Sequence, residues 1–584
     1  MKSGFTLALL PFFKFMHNFH SLVYFVPFFL MAINVTFSLT ANLPGALPQQ
    51  FFSPVIPGYN ADPSICRVND DYYLVTSSSE YFPGIPVYHS NDLVDWKMVG
   101  HVLNRPGQLN LEGVECNQGV FAPTIRYHKG VFYVVSTLTG VTGERPKGNF
   151  LVTATNPGGP WSDPLWLPDS PGIDPSLFFD NDGKVYIHGN FRPEQKLFDS
   201  QRDIWLQELD LKTGRLKGAP VTIVTTADYY NKQLLDKGIE NGVSFFEAPH
   251  IYKKNGWYYL IISHGGTFQN HAVSVWRSRF VFGPYHNNPS NPILTHRHLN
   301  PEAPVTSTGH ADFVETVEGD WYAVYLARRP YGGNYHILGR ETFLSSVKWL
   351  NDWPVIHQQA NIGKFNLEIT DTDHPLCVVN QVDTIKDEFN TKTLAPDWTF
   401  IRTPTQRWWS LAEKQDWLVM LLRPEKITDP VNPSFIGRRQ QTSDTYFYTK
   451  LRFTPLSDSE EAGLAIVRDR NNLITFTITK RNNQPCIQLV QYVKGQKSEN
   501  VRVAPLPSLT DCYLKIESDG VLYTFSYSAD ALSWDTLASE LDARFLGAAE
   551  AGRFTGTFTG FYASSNSTIS NNKMIIDWIT TVRF

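Results

Sequence analysis

The sequence predicts an all-β protein, a five-bladed β-propeller followed by a β-sandwich, and three observations lead there. Aromatic residues make up 14% of the 584 positions and charged residues only 18%, with 39 glycines and 38 prolines, a balance suited to strands joined by tight turns. One segment recurs five times between Ala61 and Ala327. From Asp387 onward a different pattern takes over, in which apolar and polar residues alternate. A chain of this length exceeds what one hydrophobic core usually holds, so two domains are expected.

The copies read ADPSICRVNDDYYLVTS from Ala61, APTIRYHKGVFYVVST from Ala122, DPSLFFDNDGKVYIHG from Asp174, APHIYKKNGWYYLIIS from Ala248 and HADFVETVEGDWYAVYLA from His310. Each opens on a small or acidic residue, crosses a turn such as Asn181-Asp182-Gly183 or Lys253-Lys254-Asn255-Gly256, and ends in an aromatic and β-branched strand. That is the signature of a β-hairpin. Each copy therefore begins one blade, and blades of four strands close into a ring around a central channel. The propeller is expected over residues 50–356 and a polar connector over 357–386. Over 387–584, segments such as TYFYTKLRFTP, ITFTITKR and CIQLVQYV alternate as strands with one buried face do, giving two packed antiparallel sheets.

The N-terminus differs from the rest. Lys2 and Lys14 precede an apolar run from Leu22 to Phe37, followed by Ser38, Thr40 and Ala41. Residues 1–41 are expected to be a signal peptide, with an uncleaved anchor as the alternative, which places the mature protein in the extracellular or periplasmic space. The formal net charge of -5 carries no basic block able to neutralise a phosphate backbone, so nucleic acid is excluded as a partner. Five widely spaced cysteines, Cys66, Cys116, Cys377, Cys486 and Cys512, lack the pairing of a zinc or redox site and are expected to be buried thiols. Asn566-Ser567-Thr568 fits a glycan acceptor.

Aligned blades bring their opening residues to one level of the channel. Asp62 opens the first copy, Asp174 the third and His310 the fifth, Glu247 immediately precedes the fourth, and Phe121 is read as the matching residue of the second. Three carboxylates, an imidazole and an aromatic wall are thus expected to converge. Asp62 and Asp174 each precede a proline in an apolar strand, where an unpaired carboxylate is costly unless it serves a purpose. Glu247 sits between Phe246 and Ala248, a setting that raises a carboxyl pKa and favours a proton donor. Cleavage of a glycosidic bond commonly needs one carboxylic acid to protonate the leaving oxygen and one carboxylate on the opposite face. Glu247 and Asp62 suit those roles, and Asp174 would orient and tune the acid.

These motifs resemble glycoside hydrolase family 43, in particular its β-xylosidases and α-L-arabinofuranosidases. The resemblance runs from about Phe52 to Ile356 and, less distinctly, through a concanavalin-like sandwich. It implies that Asp62 in NADPSI is the general base, Asp174 in GIDPSLF the pKa modulator and Glu247 in EAPHIYK the general acid of an exo-acting, inverting enzyme. It also implies that Arg340 in GRETFL binds sugar hydroxyls, that His310 in GHADFVET lies beneath the site, that Phe121 walls the pocket, and that Phe554 in RFTGTFTGF reaches the pocket rim from the sandwich. Ser79 and His264 depart from the family pattern at places that line the pocket in relatives. The expected substrates are xylo- or arabinoxylo-oligosaccharides of the plant cell wall. No cofactor is required, although a structural calcium is conceivable at His310 or at Asp387, Glu388 and Asp577, which offer hard ligands. The competing expectations are an endo-arabinanase-like hydrolase and a non-catalytic carbohydrate-binding propeller. A fructan-cleaving enzyme is disfavoured because its signatures are missing.

Overall fold

The structure, a computed structural model, describes residues 54–229, 245–357, 383–498, 501–506, 508, 510–547 and 554–583. The leader, most of the connector and Cys377 lie outside the described residues. Five antiparallel sheets form the propeller. Their innermost strands are Ser64–Val68, Val120–His128, Ile173–Phe179, Glu247–Lys254 and Thr306–Glu315, the five segments that the repeat marks. Each is joined by a tight hairpin to the next strand outward. In the fourth blade the turn is Asn255-Gly256, both with positive φ (49° and 73°), the geometry of a two-residue turn that matches strand twist.

Apolar side chains from facing sheets fill the gaps between blades. Phe178, Ile251 and Leu260 pack between the third and fourth, Tyr259, Phe313 and Ala323 between the fourth and fifth, and Ile65, Leu74 and Val324 between the fifth and first. The segment ahead of the first blade lies on the fifth, with Ile56 bridged to Thr342 and the Asn60 amide donating to the Arg340 carbonyl at 2.9 Å. This contact ties the two ends of the ring together.

The opening strands share a bulge. Register shifts between Phe121 and Thr124, Ile173 and Ser176, Glu247 and His250, and Gly309 and Asp312. At the bulge Ala122, Asp174, Ala248 and His310 take left-handed φ values of 38°, 53°, 51° and 51°, and Asp62 takes 55° at the same point of the first blade. The equivalent of Asp62 in the second blade is therefore Ala122, and Phe121 corresponds to Glu247. This corrects the alignment read from sequence. Such backbone costs about 1–3 kcal/mol per non-glycine residue and persists only where neighbours fix it. Here the neighbours are visible. The Ala122 amide donates to Ser77 Oγ (2.7 Å), that of Ala248 to Asp174 Oδ2 (3.2 Å) and that of His310 to Ser263 Oγ (2.7 Å), each on the preceding blade.

The sandwich begins at the strand Asp383–Asp387, inside the stretch read as connector, which pairs with the last strand Lys573–Arg583. An eight-stranded and a seven-stranded sheet face each other. In Thr445–Arg452, Thr445, Phe447, Thr449 and Leu451 are buried while the residues between them are not, as the alternation predicts. The two domains are joined tightly. Tyr81–Phe82 of the propeller pairs with Phe400–Ile401 of the sandwich, and Tyr81 stacks on Phe558 at 3.8 Å.

Cys66, Cys486 and Cys512 are buried free thiols and Cys116 is a half-buried one. Asn566 spends its side-chain amide on the Ser459 carbonyl (2.9 Å) and Glu461 Oε1 (3.1 Å), so a glycan there would displace both bonds.

Candidate active site

A pocket of about 310 Å³ opens at the end of the channel. Asp62, Asp174, Glu247, His310, Phe121, Arg340 and Phe554 all line it, so the seven residues singled out in the sequence meet in one cavity although they span almost the whole chain.

Asp62 is held in its ionised form. Burial alone would raise its pKa, but Arg340 Nη1 donates to Oδ1 at 2.6 Å, His310 Nδ1 lies 3.4 Å from the same oxygen and Ser77 Oγ donates to Oδ2 at 2.6 Å. Together they bring it below the ordinary carboxylate value. Glu247 is driven the other way. Burial, followed by the negative charges of Asp174 and Asp62, pushes it up to about 8 against the weaker pull of Arg202 and Arg340. At neutral pH one pocket thus holds a carboxylate and a carboxylic acid. Asp174 is itself raised, by burial and by the charge of Asp62. Its Oδ2 accepts from the Asn190 amide (3.0 Å) and from the backbone N–H of Ala248 (3.2 Å), the residue after Glu247. It is therefore fastened to the strand that carries the acid.

The sandwich completes the wall. Arg340 Nε donates to the Phe554 carbonyl at 3.1 Å, its guanidinium lies 5.3 Å from the Phe554 ring centre, and that ring meets Phe121 edge-on at 5.9 Å. Asn117 Oδ1 accepts from the Phe554 amide at 2.9 Å. Glycine permits the close approach: a Cβ at Gly556 would lie 2.2 Å from the Leu338 carbonyl oxygen, and one at Gly339 2.7 Å from that of Thr555.

A profile described as glycosyl hydrolases family 43 matches residues 51–354. The chain belongs to glycosyl hydrolase family 43. A second profile, the beta xylosidase C-terminal concanavalin A-like domain, matches residues 386–581. Among family 43 relatives, the non-reducing end alpha-L-arabinofuranosidase of Bacteroides ovatus is 39% identical over 90% of this chain and 94% of its own length. The xylosidase/arabinosidase of Butyrivibrio fibrisolvens is 38% identical over 89% and 97%. The crystal structure of a xylan beta-1,4-xylosidase from Bacillus halodurans superposes with a TM-score of 0.80 at 31% identity, covering 91% of this chain and 99% of that one.

Several site residues carry no mark in the sequence. Ser77, two residues past the second strand of the first blade, and Asn190, on that of the third, hold the two aspartates, and Phe245, Thr267 and Phe268 line the pocket. Aromatic pairs such as Phe245-Phe246 are common in buried strands, and small polar residues are common everywhere, so only the folded register singles them out. Ser79 and His264, expected at the wall, are buried behind it: Ser79 Oγ bonds Tyr59 Oη at 2.6 Å, and His264 Nε2 bonds Ser274 Oγ at 2.8 Å. The conceivable calcium ligands of the sandwich each have another partner. Asp387 Oδ2 accepts from Arg438 (2.9 Å) and Trp398 (2.8 Å), Glu388 pairs with Lys386 and Asp577 with Lys450. No group of three or more candidate ligands gathers among the described residues, at His310 or elsewhere.

Proposed function

We propose that this chain is an exo-acting, inverting glycoside hydrolase that releases terminal xylose or arabinofuranose from xylan- or arabinoxylan-derived oligosaccharides. The observation that carries the reading is a single pocket in which Arg340, His310 and Ser77 all meet Asp62 while Glu247 lines the same cavity beside Asp174 and Phe121. Glu247 protonates the glycosidic oxygen as the bond to the anomeric carbon breaks. Asp62 takes a proton from a water that attacks that carbon from the opposite face, so the sugar leaves as a hemiacetal of inverted configuration and the aglycone as an alcohol. Arg340 keeps Asp62 ionised and presents further donors to sugar hydroxyls. Asp174 keeps Glu247 oriented and protonated. A pocket of about 310 Å³ walled by Phe554 suits one terminal ring better than a threaded polymer, which favours exo over endo cleavage. The printed activities of the relatives, arabinofuranosidase and xylosidase/arabinosidase, name the two sugars. The leader-like residues 1–41 would deliver the enzyme to the extracellular or periplasmic space, where such oligosaccharides occur.

Two substrates with different leaving groups test the assignment. Asp62→Ala should lose about 10²- to 10⁴-fold in kcat on both 4-nitrophenyl glycosides and unactivated oligosaccharides. Glu247→Ala should lose far more on the oligosaccharide, because nitrophenolate departs without a proton. Equal losses on both substrates would reject Glu247 as the acid. A wild-type protein that binds the sugars without cleaving them would leave a carbohydrate-binding propeller instead.

A further inference from the structure

Phe554 comes from the sandwich, but its main chain is held at both polar ends by side chains of the propeller. Its carbonyl accepts from Arg340 Nε at 3.1 Å, and its N–H donates to Asn117 Oδ1 at 2.9 Å. The same oxygen accepts from the next amide, that of Thr555, at 3.4 Å. Arg340 belongs to the pocket itself, whereas Asn117 lies outside its lining and touches the wall from behind. The two residues before Asn117 grip the sandwich as well. Glu115 Oε2 accepts from Arg470 Nη2 at 2.8 Å, and Cys116 Sγ accepts from the Arg470 N–H at 3.5 Å. Three consecutive residues of the propeller thus meet the sandwich, and the third of them ends at the pocket wall.

The backbone at Asn117 suits this contact. Its φ of 62° lies in the left-handed region, which asparagine and glycine enter far more readily than other residues, and its own N–H donates to Glu80 Oε2 at 3.2 Å. The turn is therefore fixed, and the short amide side chain meets two successive backbone donors of the sandwich. Without that acceptor both donors lose a partner, and the segment must shift to find another. The Phe554 ring, set 5.9 Å from Phe121 and 5.3 Å from the Arg340 guanidinium, would shift with it. We propose that Asn117 is a positioning residue for sugar binding: by holding these two amides it sets the Phe554 ring in the pocket wall and so fixes the affinity of the site for the terminal sugar. The inference rests on the reading of this pocket as a glycosidase site.

The test is a double-mutant cycle in the full chain, with Asn117→Gly, Phe554→Ala and the two combined. Each protein is assayed on the nitrophenyl glycosides of β-xylose and α-L-arabinofuranose and titrated calorimetrically with xylose and arabinose. Glycine takes a φ of 62° without strain, so Asn117→Gly removes the acceptor and leaves the turn intact. It should raise KM and the sugar Kd about 3- to 10-fold, with kcat falling by less. In the Phe554→Ala background the same substitution should change either constant by less than about twofold, because the ring through which it acts is gone. A residue that only supports the fold would give the same rise in both backgrounds, and that result overturns the proposal. Unchanged KM and Kd in Asn117→Gly also overturn it. A wild type that binds either sugar without cleaving it counts against the glycosidase reading alone, and the cycle in Kd then decides the role of Asn117. A wild type that neither binds nor cleaves overturns both.

Discussion

Replacing Arg340 by Met tests the electrostatics of the pocket most directly, because one change acts on stability and on catalysis with a defined dependence on pH. Arg340 and Asp62 are 5% and 6% exposed and meet at 2.6 Å. Removing one member of a buried pair costs about 3–5 kcal/mol, since the other charge is left unpaired. Ser77 still donates to Asp62 and His310 still faces it at 3.4 Å, so the lower figure, about 3 kcal/mol, is expected at pH 7 by equilibrium urea unfolding. The sign with pH follows from the direction of the Asp62 pKa. In wild type it is depressed below its ordinary 3.8, so the pair stabilises the fold above that value and the contribution is lost as pH falls through the depressed value. In the variant burial dominates, the pKa rises, and protonation relieves the unpaired charge. The stability gap between the two proteins should therefore narrow as the pH is lowered from 7 toward 4, and the acid limb of kcat/KM should move to higher pH. A gap that stays constant over that range, or an acid limb that does not move, would refute the assignment of Asp62 as a base held ionised by Arg340.

Three further outcomes are expected. The basic limb of the wild-type kcat/KM profile should fall as pH rises through about 8, where Glu247 loses its proton; Asp174→Asn, which removes a charge that raises Glu247, should move that limb to lower pH. Phe554→Ala removes the ring set against Phe121 and Arg340; the lost aromatic and cation–π contacts should cost about 0.5–2 kcal/mol in unfolding free energy, and the opened pocket wall should raise KM with kcat less affected. Asp312→Asn separates stability from catalysis. Asp312 binds Arg126 through both oxygens (2.8 and 3.1 Å) and Ser64 Oγ (2.5 Å) but lines no part of the pocket, so a loss of about 3–5 kcal/mol in unfolding free energy with KM unchanged is expected.

The propeller was legible because its repeat is carried by side chains: turn residues, an apolar opening strand and an aromatic partner strand recur five times. The one-residue error at Phe121 arose because the decisive feature is a backbone angle. A left-handed φ leaves no fixed residue type behind it, and Asp, Ala and His all occupy the position. A signal did exist. Proline follows Asp62, Ala122, Asp174 and Ala248, and aligning on it puts Ala122 opposite the aspartates. Contacts between the domains had no such marker. Nothing near Arg340 in the sequence points to Phe554, and Ser79 reads as a change in the pocket wall until its bond to Tyr59 shows it to be packing behind that wall.

The contacts made by each carboxyl explain how one ring of carboxylates holds two protonation states. Asp62 occupies the left-handed position, where the fifth blade brings Arg340 and His310 to its Oδ1 and the segment just after its own second strand brings Ser77 to its Oδ2. Glu247 stands one residue earlier in the repeat, the place held by Phe121 in the second blade and Ile173 in the third. There burial acts on it most, and the largest charge it feels is that of another carboxylate, Asp174, ahead of Arg202. The position in the repeat alone does not set the charge, since Asp174 shares the left-handed position with Asp62 and is raised by burial and by the charge of Asp62. What separates Asp62 from both other carboxyls is the set of Arg340, His310 and Ser77 contacts that gathers on it and on neither of them.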